Sequence, residues 1–164
     1  MANTSVFTGA DGSLTLSTPP GPEGEAAQGI IDNYETVSVG RVQDVKVQVR
    51  SEVKAYHEIG QRYATELRPG NVSVSGTIGR AYINGAMLSL LLGEASGARP
   101  PASWAQPAFN ITLLLANPAH PDTKSTVTLH DVKIDNWAGH VPEDDFTMES
   151  LSFQALYLTV EDEG

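Results

Sequence analysis

The four histidines, His57, His120, His130 and His140, are the side chains best suited to ligate a metal or to move a proton near neutral pH. They stand far apart, and none falls in a spacing such as H-x-x-x-H, which sets two imidazoles on one helical face. Ser51 and Lys54 spell S-x-x-K, where a lysine can activate a serine, but nothing like the other elements of that enzyme class follows. Asp144 and Asp145 could supply half of a calcium site or an acid pair, although adjacent carboxylates in a turn are usually solvated. There is no G-x-S-x-G, phosphate loop or dinucleotide fingerprint. Gly76 and Gly79 lie in or just after an expected strand, where close packing accounts for them. An enzymatic reading therefore rests on no motif, and no catalytic, metal or cofactor residue is assigned.

Composition narrows the classes further. A chain of 164 residues with 40% hydrophobic content suffices for one domain with a real core. The absence of cysteine removes disulfides, thiolate metal sites and cysteine nucleophiles, so stability must come from packing, hydrogen bonds or association. Ten basic against 20 acidic residues give a net charge of -10, which argues against tight nucleic-acid binding. Without a basic, apolar leader or an apolar run of the ~20 residues a bilayer needs, the expectation is a cytoplasmic, soluble protein with no membrane partner.

The elements that would position any site are organised around Asn71 to Ala95. Val72, Val74, Gly76 and Ile78 alternate with Asn71, Ser73, Ser75 and Thr77, the pattern of a strand buried on one side. Asn84 then caps a short helix in which Ala86, Met87, Leu88, Leu90, Leu91 and Leu92 leave almost no polar face. Gly93 is placed to end it in a left-handed conformation. So apolar a helix needs cover on more than one side, part of which a second copy of the chain could give.

Upstream, residues 1–36 read as an N-terminal arm ending in a short edge strand, followed by a Pro/Gly loop. The run Ser17 to Gly29, with its prolines and glycines, is expected to hold neither helix nor central strand. From Val39 to Arg50 a long strand sets Val45, Val47 and Val49 against Asp44, Lys46, Gln48 and Arg50. The connection at 51–70 is long for a compact domain. Val53, Tyr56, Gly60, Tyr63 and Leu67 recur at three- and four-residue steps and predict a short amphipathic helix. This connection is either a flap packed on its own core or an arm lying on a neighbouring subunit.

Downstream, Trp104 sits in an irregular crossover between Pro101 and Pro107, where it would plug a gap. Phe109 to Ala116 is an apolar strand. Val127 and Leu129 share one phase of the next strand and Val132 and Ile134 the other, which calls for a bulge near His130 and Asp131. A last strand from Phe146 to Val160 puts Leu151, Phe153, Ala155 and Tyr157 inside and Ser150, Ser152 and Gln154 outside, before a solvated Glu161–Glu163 tail. The sum is a single, mainly β domain of five to seven strands, a sandwich or barrel with one short flanking helix.

The middle of the chain, DVKVQVRSEVKAYHEIGQRYATELRPGN followed by VSVSGTIGRAY and NGAMLSLLLG, resembles the tail tube (major tail) proteins of tailed bacteriophages, part of an Hcp-like tube superfamily. The closing strand SLSFQALYLTV extends the likeness more loosely, and the first thirty-odd residues do not add to it. The resemblance implies a β-sandwich with a flanking helix, six copies to a ring, and rings stacked into a virion tail tube through which the genome passes. It implies tail tip or baseplate, tape measure and terminator proteins as partners, assembly in the bacterial host cytoplasm, and no cofactor. Related tubes serve contractile tails, bacteriocins and secretion systems, so phage-derived injection tubes stay open. So does a β-sandwich binding or decoration module, which would need a groove with exposed aromatics.

On that resemblance Asp44, Lys46, Gln48, Arg50, Asn71, Ser73, Ser75, Thr77, Ser150, Ser152 and Gln154 are expected to face the lumen. In the 51–70 connection Tyr56, Tyr63 and Leu67 would anchor a neighbour, with Arg62 and Arg68 as ion-pairing groups.

Overall fold

The computed structural model describes residues 5–163. Its elements are β1 (Gly12–Ser17), α1 (Pro22–Tyr34), β2 (Val42–Tyr56), β3 (Glu66–Ala81), α2 (Ala86–Leu92), β4 (Phe109–Ala116), β5 (Lys124–His140), β6 (Met148–Ala155) and β7 (Tyr157–Glu163). The strands form one antiparallel sheet in the order β1-β4-β5-β6-β3-β2, with β7 also paired to β5. The sheet curls into a half-barrel.

β5 joins the two parts of this sheet. Its first half pairs with β4 and β7, and its second half, from Lys133 to His140, pairs with β6. The change happens at a bulge: Phe109 faces Val132 while Ile111 faces Leu129, so His130 and Asp131 together oppose Asn110. Asp131 takes φ 53°, and its N–H donates to Asn110 Oδ1 at 3.1 Å. The phase change legible in the sequence is this bulge.

The core lies between the apolar face of the sheet and the two helices. Phe109, Ile111, Leu129, Val132, Ile134, Ile78 and Phe153 from the strands meet Ala27 and Ile31 of α1 and Met87 and Leu90 of α2, all fully buried or nearly so. The α2 N-cap is Gly85 rather than the expected Asn84, which stands one residue earlier and accepts from the Ala86 N–H at 3.1 Å; Gly93 does end the helix, but with φ 62° and ψ -130° it lies outside the left-handed helical region.

Three expectations are overturned. The 13-residue helix α1 begins inside the Pro/Gly stretch at Pro22 and runs on to Tyr34, so two α-helices rather than one flank the sheet. Pro22 occupies the first turn, where no N–H is needed, and Gly24, Ala27 and Ile31 form a narrow buried stripe. Gly24 is a contact glycine, since a Cβ there would lie 1.8 Å from the Pro19 carbonyl oxygen. The 51–70 connection holds no helix; β2 and β3 run through it as a hairpin whose turn spans residues 57–65. The final strand is broken at Leu156, whose N–H donates to His130 O opposite the bulge at 2.9 Å, and Glu161 to Glu163 are paired in β7. The edge strand expected before the Pro/Gly stretch is β1, paired with β4; Met1 to Thr4 of the arm lie outside the described residues.

Candidate assembly surfaces

Register fixes which side chains share a face. β2, β3, β6 and the second half of β5 form a four-stranded unit in which Val45, Ile78, Leu151 and Trp137 align on the core side. One residue along, Lys46, Thr77, Ser152 and Asn136 align on the other side, followed by Gln48, Ser75, Gln154 and Lys133. Arg50 faces Ser73, and Asp44 lies beside Gly79 and Ser150. All ten of Asp44, Lys46, Gln48, Arg50, Ser73, Ser75, Thr77, Ser150, Ser152 and Gln154 are therefore gathered on one polar face, solvent-exposed or half-buried.

Two details shape this face. Gly79 leaves room for the Asp44 carboxylate, as a Cβ there would meet Asp44 Oδ1 at 2.2 Å. Asp135, which the strand phase alone did not single out, is the extra residue of a second irregularity in β5, between Ile134 and Asn136. The irregularity turns it onto the polar face, where it accepts hydrogen bonds from Ser152 Oγ and, at 3.1 Å, from Gln154 Nε2. The Ser152 hydroxyl first, and the Gln154 amide second, hold its carboxyl below the ordinary aspartate value, against a smaller opposing effect of burial. Asp44 and Asp135 thus balance Lys46 and Arg50, while Lys133 is engaged by Glu23 of α1 at 2.9 Å. The face is hydroxyl-rich and close to neutral within a strongly acidic chain.

The unit has two open edges. Among the described residues, β2 ends the sheet on one side, and on the other the second half of β5 has no strand beyond it. Unpaired edges of this length are competent to pair with another chain.

The second surface is the β2–β3 hairpin. β6 ends at Ala155, opposite Val74, so residues 66–73 of β3 pair with β2 alone. At about 3.3 Å per residue, the paired overhang reaches ~25 Å past β6. The core-side register continues along it without a core: Val49 faces Val74, Ser51 faces Val72, Val53 faces Pro69 and Ala55 faces Leu67. Val49, Val53, Leu67 and Val72 are 51 to 66% exposed. Of the proposed anchors, Leu67 lies in this apolar strip, Tyr56 pairs with Glu66 on the other side, and Tyr63 stands in the turn, 88% exposed. Arg68 pairs with Glu66 of its own strand at 3.2 Å, whereas Arg62 has no ion pair among the described residues. Val72 reads from the sequence as part of a buried strand face and Val53 as part of a helical stripe, whereas both lie on this exposed apolar strip.

No protein-family model matches the sequence, and no curated protein matches it. Solved structures do. A chain of the anti-feeding prophage cap, described as its tube terminating cap, superposes with TM-score 0.65 at 11% identity, covering 98% of this chain and 94% of that one. A chain of the sheath-tube complex of an extracellular contractile injection system gives 0.63 at 9% identity, covering 96% and 93%. The SPP1 tail tube gives 0.57 at 10% identity, covering 97% and 80%. The chain has the tail-tube fold. The three chains come from a tube terminating cap, a sheath-tube complex and a tail tube.

Proposed function

We propose that this chain is the tube subunit of a phage tail, polymerising as hexameric rings that stack into the conduit for DNA ejection. The observation that carries the reading is the four-stranded unit with a polar face and two open edges. Edge β2 of one copy would pair with the second half of β5 in the next, closing a ring in which no edge is left exposed. The ten-residue polar face then becomes the lumen wall. Short hydroxyl side chains and balanced charge give DNA neither a steric obstacle nor a deep electrostatic trap, so it slides. The hairpin is the inter-subunit arm, with Tyr56, Arg62, Tyr63, Leu67 and Arg68 at its contacts. Caps, baseplate or tail-tip proteins and a tape measure are the partners this role requires, and the assembled virion tail is its location.

Negative-stain electron microscopy of the purified protein across a concentration series tests this. Six-fold rings and hollow tubes are expected, and a compact monomer at every concentration, with tail-tip protein added, would overturn the reading. The likeness to contractile injection system chains favours one second reading, the tube subunit of a phage-derived injection system rather than of a phage tail. Particles from the producing cell that contain this chain but no nuclease-protected DNA would decide for it.

A further inference from the structure

We propose that Asn84 is a site of spontaneous covalent modification, where its side-chain amide closes on the Gly85 nitrogen to form a succinimide and water then opens the ring to aspartate and isoaspartate. Asn84-Gly85 is the only Asn-Gly pair in the sequence. Ring closure is easiest before glycine, which has no Cβ to hinder the approach of its nitrogen. Asn84 Oδ1 accepts from the Ala86 N–H at 3.1 Å, a side-chain turn that folds Cγ over the intervening Gly85 peptide. The Arg80 guanidinium reaches the same oxygen at 3.5 Å. The Gly85 N–H itself donates to nothing among the described residues. Asn84 and Gly85 are half-buried beside exposed Tyr82 and Ile83, so water reaches them.

The Gly85 nitrogen gives its proton to hydroxide and bonds to Asn84 Cγ, while the carbonyl electron pair moves onto Oδ1. The Ala86 N–H and the Arg80 guanidinium are the donors already on that oxygen, so they stabilise the charge as it develops. Collapse of the tetrahedral intermediate breaks the Cγ–Nδ2 bond and, with a proton from water, releases ammonia. Water then adds to one of the two ring carbonyls. Cleavage between Cγ and the ring nitrogen leaves aspartate, and cleavage at the main-chain carbonyl leaves isoaspartate, with Cβ now in the main chain. No oxidant or cofactor is consumed. Either product adds a negative charge beside Arg80, which Glu149 alone pairs with in the unmodified chain. Isoaspartate also lengthens by one carbon the joint between β3 and α2, where the buried ion pair meets the helix.

The fold does not itself demand glycine at this position. Gly85 has φ -85°, and an added Cβ would stand 3.7 Å from the Tyr34 hydroxyl and 3.9 Å from the Tyr82 hydroxyl, ordinary contacts. Purified protein is held at mildly alkaline pH, sampled over days, and digested for mass spectrometry with fragmentation that separates aspartate from isoaspartate. A gain of about 1 Da, as both isomers, should appear at Asn84. Its rate in the folded chain should equal or exceed that in the same chain held in guanidinium chloride, because the two donors meet Oδ1 only in the fold. Gly85→Ala, shown to be folded by its unfolding curve, should gain the same mass slower by about tenfold or more. No gain at Asn84, a folded rate well below the denatured one, or an unchanged rate in folded Gly85→Ala would overturn the inference.

Discussion

Arg80 and Glu149, facing each other across β3 and β6, form an ion pair with 1% and 0% of their side-chain surfaces exposed. The other Glu149 oxygen accepts from Trp137 Nε1 at 2.8 Å, and the Arg80 guanidinium reaches Gly40 O and Asn84 Oδ1, both at 3.5 Å. Asn84 Oδ1 also accepts from the Ala86 N–H at the start of α2, so the pair ties three strands to the helix N-terminus. Each charge is compensated, and no buried side-chain polar atom among the described residues lacks a partner. Glu149→Ala is expected to cost about 3–5 kcal/mol, because it strands a buried guanidinium. Replacing both partners, as Arg80→Met with Glu149→Leu, should cost clearly less than the sum of the single changes. Urea unfolding below the assembly concentration measures both.

This pair was within reach of the sequence. Arg80 continues the parity of Val74, Gly76 and Ile78, and Glu149 that of Leu151 and Phe153; two opposite charges in core phase on separate strands are a legible sign of burial. Most of the strands, the β5 bulge and the position of α2 were also legible, because alternation and helical periodicity are local properties. The helix α1 was not, because proline and glycine were weighed as breakers without regard to position, and only the packing against Pro19 reveals why Gly24 is there. The hairpin read as a helix for a different reason: a strand pair with no core beneath it has no burial to enforce a two-residue period. The polar face could be listed strand by strand from the sequence, but its open edges depend on sheet order, which is non-local.

Glycine contacts in α1 give a paired prediction. Gly24→Ala should destabilise the protein by about 2 kcal/mol or more, since its Cβ would collide with backbone that cannot swing away. Gly29→Ala, in the same helix with open space around it, should instead stabilise by about 0.5–1 kcal/mol through helix propensity. Thermal unfolding of the two variants side by side checks the sign of each. Opposite signs would identify the stretch as a helix even without further coordinates.

Asp135 gives a prediction about pH. Its carboxyl is depressed in the folded protein, so the stabilisation it contributes is present above the unfolded aspartate value and is lost as pH falls through the folded one. Ser152→Ala removes the largest cause and should raise the Asp135 titration midpoint toward that of an ordinary aspartate, with Gln154→Ala doing so less. Carboxyl-carbon NMR titration reads this directly. Because the group is exposed on the polar face, overall stability at neutral pH should change little.

Tyr63 separates assembly from folding. Its ring is 88% exposed in the hairpin turn, far from the buried cluster formed by the sheet and helices, so it contributes almost nothing to the isolated fold. Tyr63→Ala should leave the urea midpoint within about 0.5 kcal/mol of the parent, the usual range for an exposed surface substitution. If the turn is an anchor between copies, the same change removes an aromatic from an interface and raises the concentration needed for tubes by about tenfold or more. Sedimentation of assembled material at matched total concentrations, paired with the unfolding curve, measures the two effects separately. Equal assembly of variant and parent would make the hairpin turn a flap of the subunit rather than an arm between subunits.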